Sequence, residues 1–588
     1  MPDAADTPLF AGRPLRRRAA SDDPQLLGAD LHPVLGRLYS ARGVRNSADL
    51  ALSLDRLLPV GTLEGVEPAV ELLIAHRGGR VLVVGDFDAD GATSTALLLR
   101  ALRAWGFAQV DFLVPNRFEF GYGLTPEIVE LAAKNGAPTL LVTVDNGISS
   151  HAGVALARSL GIAVLITDHH LPAATLPDAD VIVNPNVPGS RFGSRALAGV
   201  GVAFYVMAAL KRKLDALGLV DAKAPPVAEF LDLVALGTVA DLVPLDLNNR
   251  VLVAQGLKRI RAGRCAAGIR ALLEVAERDR EQLTATDLGF IVAPRLNAAG
   301  RLDDMSIGIR CLVTDNLAEA RATAARLQQL NQERRSIESE MQALALTAVK
   351  GIDLPSRSKR HGLCLFDAGW HQGVVGLVAS RVKDRVRRPV IAFARATDAT
   401  SGGSLRGSAR SVTGVHVRDV LDAIATREPD LIAKFGGHAM AAGLTLEERW
   451  LDRFSQAFDA ECALWMARAG GEDAIETDGE LPAHDIALST AQLLRDAGPW
   501  GQGFPEPSFD GVFAIKSSRI VGDKHVKLWV QHPDDNASFD AIAFNYIDGE
   551  QRRAAPSGNV RLVYRLDINE YRGERKLQLL VDHLQAVS

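Results

Sequence analysis

The feature that most constrains this chain is a rhythm between Val81 and Asn184, where a short apolar run, a polar or glycine turn and a helix-like stretch recur several times. The runs are VLVVGD (81–86), DFLVP (111–115), LLVTVD (140–145), AVLITD (163–168) and VIVN (181–184). Runs that stay apolar at successive positions suit strands covered on both faces, as in a parallel sheet with helices above and below. The spacing therefore predicts an α/β fold built on a doubly wound parallel sheet. Such sheets place their ligand crevice at the carboxyl ends of the strands, and here those ends carry acidic and histidine residues.

The first of them is GDFDADG (85–91), with Asp86, Asp88 and Asp90 at alternate positions. Carboxylates this close repel one another, and a divalent cation is the natural way to hold them together. The other reading is an exposed, solvated turn; an EF-hand is disfavoured because no Glu closes a twelve-residue loop. Two further strands end in Asp145-Asn146-Gly147 and Asp168-His169-His170. Singly, an Asp after a strand reads as a helix cap and a His pair as a surface or core feature. Jointly, parallel strands deliver Asp88, Asp90, Asp145 and His169 to one crevice. VALGTVADLVPL (234–245) adds Asp241 inside an apolar segment, where a bare carboxylate is costly unless paired or metal-bound. Carboxylates with one imidazole form a hard donor set that favours Mn²⁺ or Mg²⁺ over zinc. They exceed the needs of one ion, so two cations about 3.5 to 4 Å apart, bridged by one Asp, are expected to activate water against a phosphodiester.

At 588 residues the chain has room for about four domains at roughly 150 residues each. From Asn316, with Glu319 as a possible capping-box partner, apolar residues recur at 317, 320, 324, 327, 330, 337, 341, 344 and 348, until Gly351 and Pro355 supply a stop. This predicts a helix on the order of 50 Å long that connects two lobes. GLCLFD (362–367), PVIAFA (389–394), LRGSARS (405–411) and HAMAAGLTL (438–446) read as strands of a smaller α/β lobe. From about Asp510 helix signals vanish, and VKLWVQ, FDAIAFN, VRLVYRLDINEY and LQLLVDHLQ suggest a barrel or sheet.

Composition narrows the function classes. A content of 47% hydrophobic and 23% charged residues excludes wholesale disorder. The net charge of −5 confines any nucleic-acid site to a local basic surface, and residues 511–588, with 11 Lys and Arg against 10 Asp and Glu, are only slightly basic. Cys265, Cys311, Cys364 and Cys462 form no Cys-x-x-Cys pair, which removes a zinc ribbon and a disulfide scaffold and points to a reducing compartment. Arg16, Arg17 and Arg18 precede no apolar stretch, and no run of about eighteen apolar residues occurs, so the expectation is a soluble cytoplasmic protein.

GDFDADGATST, VDNGIS, TDHH, GTVADLVPL and PRLNAAGRL, in this order and spacing, resemble the DHH phosphoesterase superfamily. GWHQGVVGLVASR, GSARS, FGGHAMAAG and PWGQGFPEP resemble its bacterial RecJ branch, the single-strand-specific 5′ to 3′ DNA exonucleases, and the match runs from about Leu31 to near the C-terminus. The resemblance implies that Asp86, Asp88, Asp90, Asp145, His169 and Asp241 hold metal, with Asp145 bridging. It implies that His170 contacts the scissile phosphate or the leaving oxygen. Many superfamily members have a histidine at the position of Val84, so the first metal site departs from the pattern here and Asp86 is the residue placed to compensate.

The C-terminal lobe resembles the DHH-associated domain that holds substrate over the metals. Gly436, Gly437 and His438 offer a backbone able to approach a phosphate, or else a glycine turn before a strand. Arg295, Arg301, Arg406 and Arg410 are fork donors suited to phosphate, although any one could be a surface ion pair. His371 either binds phosphate at a helix N-terminus or makes a plain cap. The tail resembles an oligonucleotide-binding barrel, where Trp529, Phe544 and Tyr564 could stack on bases unless they belong to its core.

The expected layout is an N-terminal helical region (1–70), a catalytic domain (71–315), a connecting helix (316–350), a substrate-binding domain (351–470) and a barrel domain (471–588). The implied activity is exonucleolytic hydrolysis of single-stranded DNA in recombination and repair by a monomer, with a single-strand-binding protein and a helicase as partners. The rival readings are a phosphoesterase of small nucleotides and a strand-binding scaffold without catalysis.

Overall fold

In the computed structural model, which describes residues 9–10, 13–20, 28, 31–115, 123–173, 175–350, 360–396, 403–437, 439–469, 474–522, 524–534, 536–547, 556–571 and 573–587, the apolar runs become one parallel sheet. Its strands are β1 (Arg80–Gly85), β2 (Gln109–Leu113), β3 (Leu140–Val144), β4 (Ala163–Thr167) and β5 (Val181–Val183), in the order β2-β1-β3-β4-β5. The direction of winding reverses between β1 and β3, so the crevice of the sheet opens where GDFDADG and VDNG leave their strands. Helix α1 (Ala89–Ala104) begins with small residues that let it lie close on β1; a side chain at Gly91 would stand 2.6 Å from the Asp86 carbonyl oxygen. Its later turns bury Leu97, Leu98, Leu99 and Leu102, each contributing about 1.5 to 3 kcal/mol of burial. Helices α2 (Gly199–Ala216) and α3 (Leu231–Ala240) cover the crevice side.

The connecting helix α4 (Leu317–Lys350) has 34 residues, about 50 Å at 1.5 Å per residue. Asn316 caps it, its Oδ1 accepting from the N–H of Ala318 at 3.0 Å. Glu319 does not reach back to complete the capping box; its carboxylate accepts from the Thr314 hydroxyl at 2.7 Å. Ala320, Ala324, Leu327 and Leu330 pack on the catalytic core, and Met341 and Ala345 on the second lobe. Leu344, expected in the stripe, is exposed because the buried face steps from 341 to 345. Gly351 and Pro355 lie outside the described residues.

The second lobe is a mixed sheet of β6 (Leu363–Phe366), β7 (Val390–Arg395), β8 (Ser404–Arg410), β9 (Lys434–Gly437) and β10 (Ala441–Glu447), in the order β9-β10-β8-β7-β6. Gly436 and Gly437 therefore form part of an edge strand rather than a turn. The tail closes a five-stranded barrel of β11 (Phe509–Val521), β12 (His525–Gln531), β13 (Ser538–Ala543), β14 (Gly558–Tyr571) and β15 (Glu574–Ala586).

One open reading is decided here, with one of the three barrel aromatics in the core, and one expectation is corrected. Tyr564 is core, 1% exposed and packed on Phe509 and Phe513, so it offers no stacking face; Trp529 and Phe544 remain exposed. The N-terminal region is not helical throughout, because Arg13–Arg17 is a strand running parallel to Ile475–Thr477. Charge explains the second: Arg16 meets Glu476, Arg17 meets Asp510 and Glu480, and Arg18 meets Asp478, a match between remote segments that local patterning does not reveal. Arg42 adds a bidentate pair with Asp478, both groups almost wholly buried. Trp500 and Phe504 stack on each other beside Tyr39, with the Arg250 guanidinium 4.3 Å from the Phe504 ring centre. The tail is thus seated on the catalytic lobe, whose apolar core runs on into the barrel, while the second lobe keeps its own core.

Candidate metal centre

The metal-loop aspartates are fixed before any ion arrives. Asp88 caps α1, its Oδ1 accepting from the N–H of Asp90 at 2.9 Å and of Gly91 at 3.0 Å. Asp90, fully buried, accepts from the N–H groups of Gly199 at 2.6 Å and Val200 at 2.9 Å, at the N-terminus of α2. Asp145 adopts a left-handed backbone with φ of 61°, and a side chain at Gly199 would come within 2.6 Å of its Cβ, so Gly199 is what lets α2 close over it.

These strand ends converge. Ligand atoms of Asp86, Asp88 and Asp145 lie within 4.8 Å of one another, as do those of Asp145, His169 and His170, and those of Asp90, His169 and Asp241. His169 Nε2 is 3.1 Å from Asp145 Oδ1 and 3.4 Å from Asp241 Oδ2. All seven residues expected around the metals stand together. Val84 is buried in the apolar core and supplies no ligand, whereas Asp86 sits in the cluster.

Burial, then repulsion from Asp88, pushes the Asp90 carboxyl up to about 7, and burial with repulsion among the aspartates holds Asp145 and Asp241 well above the usual range. This oxygen-rich, negatively charged set fits hard divalent cations. A carboxyl raised in the folded state destabilises it as pH rises from the unfolded range near 4 through the raised value, and cations that displace the protons cancel that penalty. Adding Mn²⁺ to chelated protein should therefore raise the melting temperature more at about pH 8 than at about pH 6. The gain should be of order 2.7 kcal/mol at a hundredfold excess over Kd. Scanning calorimetry at the two pH values checks this, and equal gains would contradict it.

Sequence reasoning passes over Asp168, although it opens the Asp-His-His triplet. Its Oδ1 is 2.7 Å from His170 Nδ1 and accepts from the backbone N–H of His169 and His170, while Oδ2 accepts from Ile148 N–H at 2.9 Å. Burial alone would raise this carboxyl, but His170 and His169 bring it down to about 2; burial alone would lower His170, but Asp168 raises it to about 9. Asn184 and Asn186, just beyond β5, donate to the carbonyls of His170 and His169, and Asn297 accepts from the Ala89 N–H inside the metal loop. Their only signal is their place in VIVNPN and PRLNAAGRL.

The residues expected to hold substrate divide into three groups. Arg406 and Arg410 share a face of β8 with Ser408, beside Gly443 and Thr445 of β10 and Lys434 and Gly436 of β9. Side chains at Gly436 or Gly443 would meet nothing within 4 Å, so this basic face has a smooth backbone floor. Arg301 donates to the Gly373 carbonyl at 3.2 Å, and His371 Nδ1 accepts from the Gly373 N–H at 3.1 Å, a local turn contact at the seam of the two lobes. Arg295 is corrected: it is 6% exposed and donates to the Ile291 carbonyl, so it is not a surface phosphate fork. His438 lies outside the described residues, and Gly437 has φ of 144° at the edge of the floor.

A strand-end cluster of aspartates and histidines on a doubly wound sheet, joined by a long helix to a lobe with a basic face, defines a metal-dependent phosphoesterase of the DHH kind. The DHH family N-terminal domain matches residues 80–238, the DHHA1 domain 360–464 and the RecJ OB domain 477–583. The single-stranded-DNA-specific exonuclease RecJ of Salmonella typhimurium is 54% identical over 580 residues, 97% of this chain and 99% of that protein. That of Escherichia coli is 52% identical over 575 residues, 97% and 98% of the two chains. A crystal structure of RecJ from Thermus thermophilus in complex with Mn²⁺ superposes with a TM-score of 0.78 at 30% identity, covering 97% of this chain and 79% of that one; a complex with Mg²⁺ gives 0.74. The chain belongs to the RecJ family of single-stranded-DNA-specific exonucleases.

Proposed function

We propose that this chain degrades single-stranded DNA exonucleolytically from its 5′ end, hydrolysing phosphodiester bonds with two divalent cations, Mn²⁺ or Mg²⁺, in recombination and repair. The observation that carries the reading is the convergence of Asp86, Asp88, Asp90, Asp145, His169 and Asp241 at one switch point, in a chain whose second lobe carries a basic glycine-floored sheet. When bound, the cations supply a water activated for attack and stabilise the charge that develops on the phosphate. The chain's own groups do the positioning. Asp145 and His169 each belong to two of the three ligand groups, and Asp145, the carboxylate of the two, would bridge the cations. Asp168 fixes the ring of His170, which donates to the phosphate or the leaving oxygen. Arg406, Arg410 and the Gly436–Gly437 backbone hold the strand, with Arg301 and His371 at the seam.

The domain limits that go with this reading are 71–315 for catalysis, 316–350 for the connector, 351–470 for substrate binding and 471–588 for the barrel. Metal cluster and basic face come from one chain, which suits a monomer. The four cysteines are free thiols, which suits the cytoplasm, and no described helix is long and apolar enough to cross a membrane. An enzyme acting on exposed single strands works beside a helicase that opens duplexes and a protein that coats the strands. Digestion of end-labelled single- and double-stranded DNA with Mn²⁺, Mg²⁺ or chelator tests the reading. Metal-dependent release of 5′-terminal nucleotides from the single strand alone is the expected result. Cleavage confined to dinucleotides would favour a small-nucleotide phosphoesterase, and binding without cleavage a scaffold.

A further inference from the structure

Two large apolar side chains stand exposed on and beside the segment that carries the metal ligand Asp241, where a soluble protein gains nothing from them. Leu242 follows Asp241 directly, is 63% exposed and has φ of 59°, a left-handed conformation that a bulky residue adopts only when its surroundings impose it. Phe290 is 69% exposed and sits in a π-helical turn, Leu288–Val292. The two are linked through one group: the Leu242 N–H donates to the Val239 carbonyl at 3.3 Å, and a side chain at Gly289 would stand 3.7 Å from that same oxygen.

The helix that continues from the π turn lies on the metal loop. A side chain at Gly300 would stand 1.8 Å from the Phe87 carbonyl oxygen, and Asn297 accepts from the Ala89 N–H. Arg295, whose expected role at the surface fails, staples the turn by donating to Ile291, the residue after Phe290. Its Nε has no hydrogen-bond partner among the described residues.

Resting on the exonuclease reading, we infer that Phe290 and Leu242 form a stacking shelf at the lip of the metal cluster, which receives the base of one of the two nucleotides flanking the bond to be cut. Continuity with the cluster selects this occupant: a strand whose phosphate lies on the aspartates must pass its bases over neighbouring surface, and an aromatic face accepts any base. The shelf orients the scissile phosphate without reading sequence.

The test compares single strands carrying a natural base or an abasic residue at the first or second position. The wild type should favour the natural strand in kcat/KM by about 5- to 100-fold at one of these positions. Phe290→Ala should bring that ratio close to unity and Phe290→Trp should restore it, with Leu242→Ala intermediate; melting temperatures confirm that each variant is folded. A folded Phe290→Ala protein that keeps the wild-type ratio overturns the shelf alone. A wild type that cuts neither strand overturns the exonuclease reading and the shelf with it.

Discussion

Asp145→Asn is expected to abolish hydrolysis while leaving the metal-free protein as stable as the parent or more so. Asp145 is 2% exposed, and the influences that raise its carboxyl are burial and then the charges of Asp90, Asp88, Asp86 and Asp241. An amide of the same size removes one charge from that crowd. Asn is also among the residues that tolerate the left-handed backbone found there, so the packing of Gly199 on its Cβ survives. The loss falls on chemistry. Removing one group that stabilises developing charge costs about 10² to 10³ in rate, and a residue shared by two of the three ligand groups should cost on the order of 10³ or more. Steady-state rates, Mn²⁺ titration and a melting curve check the three parts together. Turnover within about tenfold of wild type would remove Asp145 from the bridging position.

The metal cluster is legible in the sequence because its logic is local and repetitive. Each ligand follows an apolar run, and a parallel sheet carries such ends to one place whatever the details of packing. Asp168 is not legible because its work is second-hand: it touches His170 and three backbone N–H groups, and nothing in the triplet distinguishes a ligand from the carboxylate that aims one. Arg295 misleads for the opposite reason. In PRLNAAGRL its spacing from Arg301 suggests two phosphate forks, but six residues along the helix Ala293–Leu302 carry the second about 240° around the axis from the first, so one is buried while the other reaches Gly373. The strand at Arg13–Arg17 is hidden because its partner lies more than 450 residues away, and pairing over such a separation leaves no periodic trace. Tyr564 and Trp529 look alike in sequence; alternation along a barrel strand, and with it which aromatic faces inward, depends on register and on a bulge between Val563 and Tyr564.

Substituting Trp529 and Phe544 together by Ala is expected to weaken binding of long single strands roughly ten- to hundredfold while short oligonucleotides lose far less. Both side chains are about half exposed on the barrel, and Trp529 lines a cavity of about 750 Å³ with Lys527, Asp540, Asn569 and Lys576. Lys527 is already paired with Asp540 at 2.8 Å, so stacking rather than charge should dominate, and the salt dependence of binding should change little. Deleting the barrel is a poorer test than these surface changes. Asp510 within β11 is fully buried, accepts from Arg17 and from the Thr477 hydroxyl, and belongs to a domain whose apolar core continues that of the catalytic lobe. Truncation before it should strip the catalytic domain of packing and lower turnover on every substrate, whatever the barrel binds. The two exposed aromatics carry no such burden, so a melting temperature equal to wild type is part of the expected result. Affinity measured on strands of increasing length then reads the reach of the barrel from the metals. Equal losses on short and long strands would take Trp529 and Phe544 off the path of the DNA.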